Sequence, residues 1–205
     1  MVYKTITTAI LVAGLTLGAT FSVSAADKPK LMTGASASML ANTCAGCHGT
    51  NGVSQGPAAP SITGMSTEYF TEIMAGFANG EVPSTIMGRI SKGYSEDEVL
   101  AMAELYGKIP PSLAKQSFDA STVKKGAKLH KKYCEKCHAE GGTDTEDSAA
   151  LAGQWSTYLN WSLADFSAGK RDAGKKMKKK LKKLVEKEGS KGISALLNYY
   201  ASQQK

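Results

Sequence analysis

The sequence predicts an all-α chain that contains two similar small domains. No stretch shows the regular alternation of apolar and polar residues that a half-buried strand requires, and helical patterns are separated by loops. The pentapeptide Cys-x-x-Cys-His occurs twice, at residues 44–48 and 134–138, and a methionine follows each histidine after an interval of 39 residues. A constant offset of 90 residues between these elements indicates two copies of one structural unit.

Each pentapeptide has the form of the attachment signature of c-type haem. Two thiols add to the vinyl groups of the haem, and the imidazole that follows binds the iron. Residues at i, i+3 and i+4 lie on one face of a helical turn, so one short helix can present all three side chains. The sequence therefore predicts two covalently bound haem c groups. The predicted attachment residues and iron ligands are Cys44, Cys47 and His48 in the first copy and Cys134, Cys137 and His138 in the second.

Two other uses of paired cysteines fit the spacing poorly. A four-cysteine zinc ribbon places its two pairs about 15–20 residues apart, whereas 87 positions separate Cys47 from Cys134. A thioredoxin-like redox pair belongs to a βαβ pattern, which the sequence does not show. Haem attachment uses all four cysteines and two of the three histidines.

Methionine thioethers commonly close the sixth position of haem in electron-carrying cytochromes. Met177 is the one methionine after His138, and Met87 stands at the matching position of the first copy. We therefore predict Met87 and Met177 as sixth ligands, although Met177 lies in a run that could be continuous helix. Met65 and Met74 have no methionine counterparts in the second copy, so we predict that they are core residues. With both axial positions filled, the irons would transfer electrons rather than bind substrate.

The first 26 residues have the pattern of a secretory signal peptide. Lys4 precedes an apolar run, and Val23-Ser24-Ala25 is a small-residue cleavage site. An uncleaved anchor is the alternative, since about 20 apolar residues can span a bilayer, but the cleavage motif favours removal. We therefore predict a periplasmic protein without a membrane span after cleavage, and export agrees with haem attachment outside the cytoplasm.

The remaining chain divides at a proline pair. Ile109-Pro110-Pro111 cannot continue a helix, so the sequence predicts a first domain at 27–108, a linker at 109–120 and a second domain at 121–205. Predicted helices cover residues 34–43, 66–79, 95–106 and 122–133. The third of these begins with a capping box formed by Ser95 and Glu98.

Several single residues have expected roles beside the haems. Pro60 begins a segment, 60–64, that resembles the one offering a backbone carbonyl to the ligand histidine in small cytochromes c. The second copy has residues 149–153 at this place, without the proline. Gly126 is expected to allow close contact between helices. His130 is predicted to be a packed ring at a helix crossing, with an alternative role as an iron ligand.

Basic residues dominate the sequence around Met177. They are Lys170, Arg171, Lys175, Lys176, Lys178, Lys179, Lys180, Lys182 and Lys183. They form either a solvated helix face or a docking surface for an acidic soluble electron acceptor, and the pattern alone leaves both open. The formal net charge of +7 is an argument about which partners the chain attracts, and it does not indicate a fold. Nucleic acid is not an expected partner of an exported haem protein.

The chain resembles the dihaem cytochrome subunit of flavocytochrome c sulfide dehydrogenase. The matching stretches are Ser84–Ile90, Lys92–Ser95, Ala114–Asp119, Lys132–His138 and Leu151–Trp155. The resemblance implies two tandem small cytochrome c domains in a periplasmic heterodimer with a subunit that holds FAD and oxidises sulfide. This chain would then be no enzyme on its own, and would accept the electrons and pass them to a further acceptor.

Two other functions share some of these features. A free dihaem cytochrome that shuttles electrons to a terminal oxidase would have the same motifs and the same repeat. A dihaem enzyme, such as a peroxidase or a thiosulfate oxidase, would need a vacant or cysteine-ligated iron. No cysteine is left over for such a ligand, which disfavours the enzyme.

Overall fold

The computed structural model describes residues 34–146 and 148–204, and these residues form helices and loops without a strand. The all-α prediction is therefore confirmed for this part of the chain. The predicted signal peptide, residues 1–26, lies outside the described residues. None of the described helices is both long enough and apolar enough to cross a membrane.

In the first half, residues 34–108, the last helix packs against the others and completes a small core. Its helices are α1 (Ala37–Asn42), α2 (Ala45–His48), α3 (Thr67–Asn79), α4 (Met87–Ile90) and α5 (Glu96–Gly107), with short 3₁₀ turns at Thr50–Gly52 and Ser91–Gly93. Helices α1 and α3 pack against α5. The core includes Leu40, Phe70, Met74, Met102 and Tyr106. The predicted capping box at the start of α5 is present, with both of its hydrogen bonds formed.

The second half, residues 120–204, repeats this plan with a longer closing helix. It contains α6 (Ala120–Tyr133), α7 (Ser156–Ser167) and α8 (Lys175–Ala201), with a 3₁₀ turn at Glu140–Gly142. Helices α6 and α7 pack against α8. The backbone of α8 breaks at Gly189, whose φ is +58°. The core includes Leu129, Leu159, Leu184, Leu196 and Tyr200.

Gly126 lies at the crossing of α6 and α8, as the sequence predicts. A Cβ atom at this position would lie 2.0 Å from the carbonyl oxygen of Ala195. The two helix backbones can therefore approach this closely only because residue 126 has no side chain.

The same hydrogen bond closes both halves. The N–H of Gly64 donates to the carbonyl oxygen of Tyr106 over 3.0 Å, and the N–H of Gly153 donates to that of Tyr200 over 2.9 Å. Both glycines have positive φ, +71° and +73°. The repeat in the sequence thus corresponds to a repeated loop-to-helix contact in the structure, which supports the tandem arrangement.

The linker contacts both halves. Ser112 N–H donates to the hydroxyl of Thr63 over 3.0 Å, and Ala114 N–H donates to the carbonyl oxygen of Gly153 over 2.7 Å. Ala149 of the second half packs against the core of the first. The two candidate sites described below are therefore joined by structured chain.

Candidate haem sites

The first attachment motif forms one helical turn, α2. The N–H groups of Cys47 and His48 donate to the carbonyl oxygen of Cys44 over 3.2 and 2.9 Å. This turn brings the two thiols and the imidazole to one side of the helix. Cys47 is exposed and Cys44 is half-buried, and neither is in a disulfide.

The second attachment motif forms the same turn without a continuing helix. The N–H groups of Cys137 and His138 donate to the carbonyl oxygen of Cys134 over 3.1 and 3.0 Å. Cys134 is the C-cap of α6, and the N–H of Glu135 still bonds to the carbonyl oxygen of His130 over 3.0 Å. The second motif therefore forms a hydrogen-bonded turn directly after α6 rather than a separate short helix.

His48 is held by the carbonyl that the sequence predicts. Its Nδ1 lies 2.7 Å from the carbonyl oxygen of Pro60. A carbonyl can only accept, so Nδ1 bears the proton and donates, and the lone pair of Nε2 is left for a metal. Burial lowers the pKa of His48, and the bond to Pro60 acts in the opposite direction. The lowered pKa favours the neutral imidazole, the form that binds a metal.

His138 is held differently. Its Nδ1 lies 3.0 Å from the side-chain oxygen of Ser148, so its partner is a side chain rather than a backbone carbonyl of residues 149–153. The hydroxyl of Ser148 can accept from Nδ1–H while it donates to the carbonyl oxygen of Ala149, 3.4 Å away. A rotatable hydroxyl therefore takes the place of a fixed carbonyl. Burial and then the nearby His130 lower the pKa of His138.

The two predicted sixth ligands both lie near the start of a helix. Met87 is the first residue of α4, is half-buried and packs against the first core. Met177 is the third residue of α8 and is also half-buried, so the run that contains it is helical rather than extended. Met65 and Met74 are buried in the first core, as expected of packing residues.

His130 occupies a packed position between α6 and α8. It is 1% exposed, and its Nδ1 lies 2.9 Å from the hydroxyl oxygen of Tyr200. Its other nitrogen lies against the carboxylate of Glu135. Both ring nitrogens thus face protein groups, in agreement with the packing interpretation.

The chemistry of the available donors fits two covalent haems. Each motif offers two thiols that are free of disulfides and an imidazole whose Nδ1 is engaged, and a half-buried thioether is available in each half. When bound, a haem supplies one-electron redox chemistry. Within the described residues, no group of three or more His, Cys, Asp or Glu side chains is arranged to hold a metal ion. A four-cysteine zinc site is therefore not formed in that part of the chain.

Sequence reasoning gave no role to Gln154. This buried side chain of the second half bonds to the backbone of Ser61 in the first half, through Ser61 N–H to Oε1 and Nε2–H to the Ser61 carbonyl oxygen, both over 3.0 Å. Next to it, Trp155 Nε1 donates to the carbonyl oxygen of Ser54 over 3.3 Å. The sequence shows only that Gln154 is a polar residue directly after the apolar segment 149–153. Its partner cannot be identified from the sequence, because Ser61 is 93 residues away.

A further bridge joins the halves beside α3. Arg171 Nη2 donates to the hydroxyl of Tyr69 over 3.3 Å, and the guanidinium lies 4.6 Å from the ring centroid of Phe166. Burial raises the pKa of Tyr69, so its hydroxyl stays neutral and can accept this bond. Arg171 therefore contributes to the contact between halves as well as to the basic surface.

The fold and the donor sets together define an electron-transfer protein of the c-type cytochrome class. No family model matches the chain. Over 86 residues it is 43% identical to the cytochrome subunit of sulfide dehydrogenase from Chlorobaculum tepidum, covering 41% of this chain and 77% of that protein. Over 143 residues it is 28% identical to the thiosulfate dehydrogenase electron acceptor from Thiomonas intermedia, covering 64% of this chain and 65% of that protein.

The crystal structure of reduced cytochrome c4 from Pseudomonas stutzeri has the same fold. It superposes with a TM-score of 0.67 at 22% identity, over 78% of this chain and 93% of that chain. The chain belongs to the dihaem c-type cytochromes. The predicted fold of two tandem cytochrome domains is confirmed.

Proposed function

We propose that the chain is the electron-transfer subunit of a periplasmic sulfide dehydrogenase. It accepts electrons from a partner subunit that holds FAD and passes them to a further acceptor. The observation that supports this most directly is the 43% identity with a sulfide dehydrogenase cytochrome subunit. The proposed haem attachment residues are the four cysteines, and the proposed axial ligands are His48 with Met87 and His138 with Met177.

The arrangement of these residues suits electron transfer rather than substrate chemistry. Each histidine is fixed through Nδ1, which orients the ring and raises its basicity as a ligand. A methionine on the opposite side would leave no open position on either iron. Two haems can take the two electrons of a reduced flavin one at a time.

The surface near Met87 supplies a candidate contact with the flavoprotein. Ile86 and Ile90 flank this methionine and are 44% and 38% exposed. Apolar residues are enriched in the centres of permanent interfaces. We assign the entry of electrons to this first half, and their exit to the second half, where the exposed lysines of α8 lie.

The alternative is a free dihaem cytochrome that exchanges electrons with other carriers. The relative named as an electron acceptor of thiosulfate dehydrogenase favours a related function with a different donor. The haem sites would be the same in both cases. The presence of a stable flavin-containing partner distinguishes them.

The test is purification of the mature protein from its native periplasm under mild conditions. A sulfide dehydrogenase subunit should co-elute with a larger protein, with one FAD for every two covalent haems, and sulfide should reduce the haems of the complex. A monodisperse, flavin-free protein that sulfide does not reduce would refute the proposal. Reduction of that free protein by a thiosulfate dehydrogenase would support the alternative.

A further inference from the structure

Gln154 of the second half meets the peptide group that holds the iron-ligand candidate of the first half. The carbonyl of Pro60, which accepts from His48, and the N–H of Ser61 belong to the same peptide unit. Gln154 Oε1 accepts from that N–H over 3.0 Å. Three groups therefore stand in one hydrogen-bonded series: the Gln154 amide, the Pro60–Ser61 peptide and the His48 imidazole.

The Gln154 amide and the Pro60–Ser61 peptide are shielded from water, and the amide is held by several hydrogen bonds. Gln154 is 5% exposed and Ser61 is 6% exposed. Both ends of the Gln154 amide are used, because Nε2–H donates to the Ser61 carbonyl oxygen, and Oε1 also accepts from the N–H of Trp155 over 3.1 Å. In such surroundings hydrogen bonds are electrostatically stronger than in water and polarise one another.

From this geometry we infer that Gln154 tunes the first haem across the interface between the halves. A bond accepted from a peptide N–H shifts electron density toward the carbonyl oxygen of the same peptide. Pro60 then becomes a better acceptor for Nδ1–H of His48, and the imidazole becomes a more basic ligand. A more basic ligand stabilises the ferric state, so Gln154 lowers the reduction potential of the first haem. Gln154 is a positioning and tuning residue, since it acts through the peptide.

Among the described residues, His138 has no corresponding side-chain amide that acts on it through a peptide group. Ser148 holds His138 through a side-chain hydroxyl, which is not part of a peptide unit. The residue of the first half that corresponds to Gln154 in the repeat is Met65, which has no amide and is buried in the first core. The effect of Gln154 therefore falls on one haem only, and it separates the potentials of two otherwise similar sites.

The test compares two glutamine-to-methionine variants of the haem-loaded protein. Gln154→Met keeps the size of the side chain but loses both bonds to Ser61. Gln116→Met is the matched control, because the Gln116 side chain also makes two bonds to backbone groups beside Gln154 without touching the Pro60–Ser61 peptide. It donates to the Gln154 carbonyl oxygen over 2.8 Å and accepts from the Ser156 N–H over 2.9 Å.

Two readouts follow each haem separately: the Nδ1–H proton resonance of each axial histidine in the reduced protein, and a redox titration monitored by the haem methyl resonances. In Gln154→Met, the His48 resonance should move to lower frequency, and the equilibrium constant for reduction of the first haem should rise about two- to fourfold. His138 and the second haem should not change. Gln116→Met should leave both haems as they are.

Gln154→Leu is the second variant if the methionine variant folds poorly. It also loses both bonds to Ser61, so the His48 resonance should again move to lower frequency while that of His138 stays in place. An unchanged His48 resonance in a folded Gln154 variant, or equal shifts in the Gln154 and Gln116 variants, would overturn the inference.

This inference rests on the proposed haem at Cys44, Cys47 and His48. A wild-type protein without a low-spin haem at that motif would refute the proposed site itself. If the wild-type protein has that haem but the Gln154 variants leave the His48 resonance and the potential of the first haem unchanged, only the tuning by Gln154 is refuted.

Discussion

The Nδ1 atom of His130 lies 2.9 Å from the hydroxyl oxygen of Tyr200, where α6 crosses α8. Both side chains are almost fully buried. Their rings meet edge to face with centroids 5.5 Å apart. The pair therefore joins the helix that leads into the second attachment motif to the helix that closes the second half.

Removing the hydroxyl group of Tyr200 should destabilise the protein. Tyr200→Phe leaves Nδ1 of His130 buried without this partner, which costs about 1–3 kcal/mol. His130→Phe should cost a similar amount by removing this partner of the Tyr200 hydroxyl. The double variant should cost clearly less than the sum, since residues in one hydrogen bond are coupled. Urea unfolding of the haem-loaded proteins measures these free energies. Additive costs would show that the bond has no such role.

The proposed sixth ligands can be tested one haem at a time. Met177→Ala should leave one low-spin haem and open the sixth position of the other, which lowers its potential. Met87→Ala should do the same to the first haem. The measurement is the methionine-to-iron absorption band together with the low-spin haem count. If Met177→Ala changes neither the bands nor the low-spin haem count, Met177 is not a ligand of the second haem and the repeat argument is wrong.

A buried methionine of the first core is the control for these ligand variants. Met74 is 6% exposed and packs in that core. Met74→Ala should cost about 2–5 kcal/mol of unfolding free energy, while both methionine-to-iron bands remain. Loss of a band in this variant would indicate that Met74, rather than Met87, closes the first haem.

The lysines of α8 should control the exit of electrons to an acidic acceptor. Leu181 and Leu184 face the core, and the lysines from Lys175 to Lys183 are exposed. Replacing Lys179, Lys182 and Lys183 with Glu should slow electron transfer to such an acceptor and flatten its dependence on salt. Stopped-flow rates at several ionic strengths measure this effect.

Charge reversal in the first half and the linker controls for net charge. Lys92, Lys108 and Lys115 are exposed and lie outside α8. Glutamates at these three positions change the net charge equally, but they should affect the exit rate much less. Equal effects of the two triple variants would leave the solvated helix face as the interpretation of the α8 lysines.

Gly126 should tolerate no larger residue. In Gly126→Ala the new methyl group would meet the carbonyl oxygen of Ala195, so α6 and α8 must move apart at a cost of about 1–3 kcal/mol. Gly56 is the control, because its φ is not positive and a Cβ there meets nothing within 4 Å. Gly56→Ala should be neutral or slightly stabilising. Thermal unfolding measures both, and equal melting temperatures for the two variants would contradict the close-contact argument.

The sequence by itself determined the elements that depend on local spacing. The two Cys-x-x-Cys-His turns follow from side-chain positions within one helical turn, and the capping box of Ser95 and Glu98 follows from a four-residue pattern. Helical periodicity was sufficient for the all-α class.

Only the tertiary structure decided which atoms meet across long separations. It showed that Ser148, rather than a backbone carbonyl, holds His138, and that Met177 lies within a helix. It also placed Gln154 against the peptide that holds His48. The sequence does not determine such contacts because they depend on how the two halves dock and on the path of each loop, and many residues of similar polarity would satisfy the local pattern equally well.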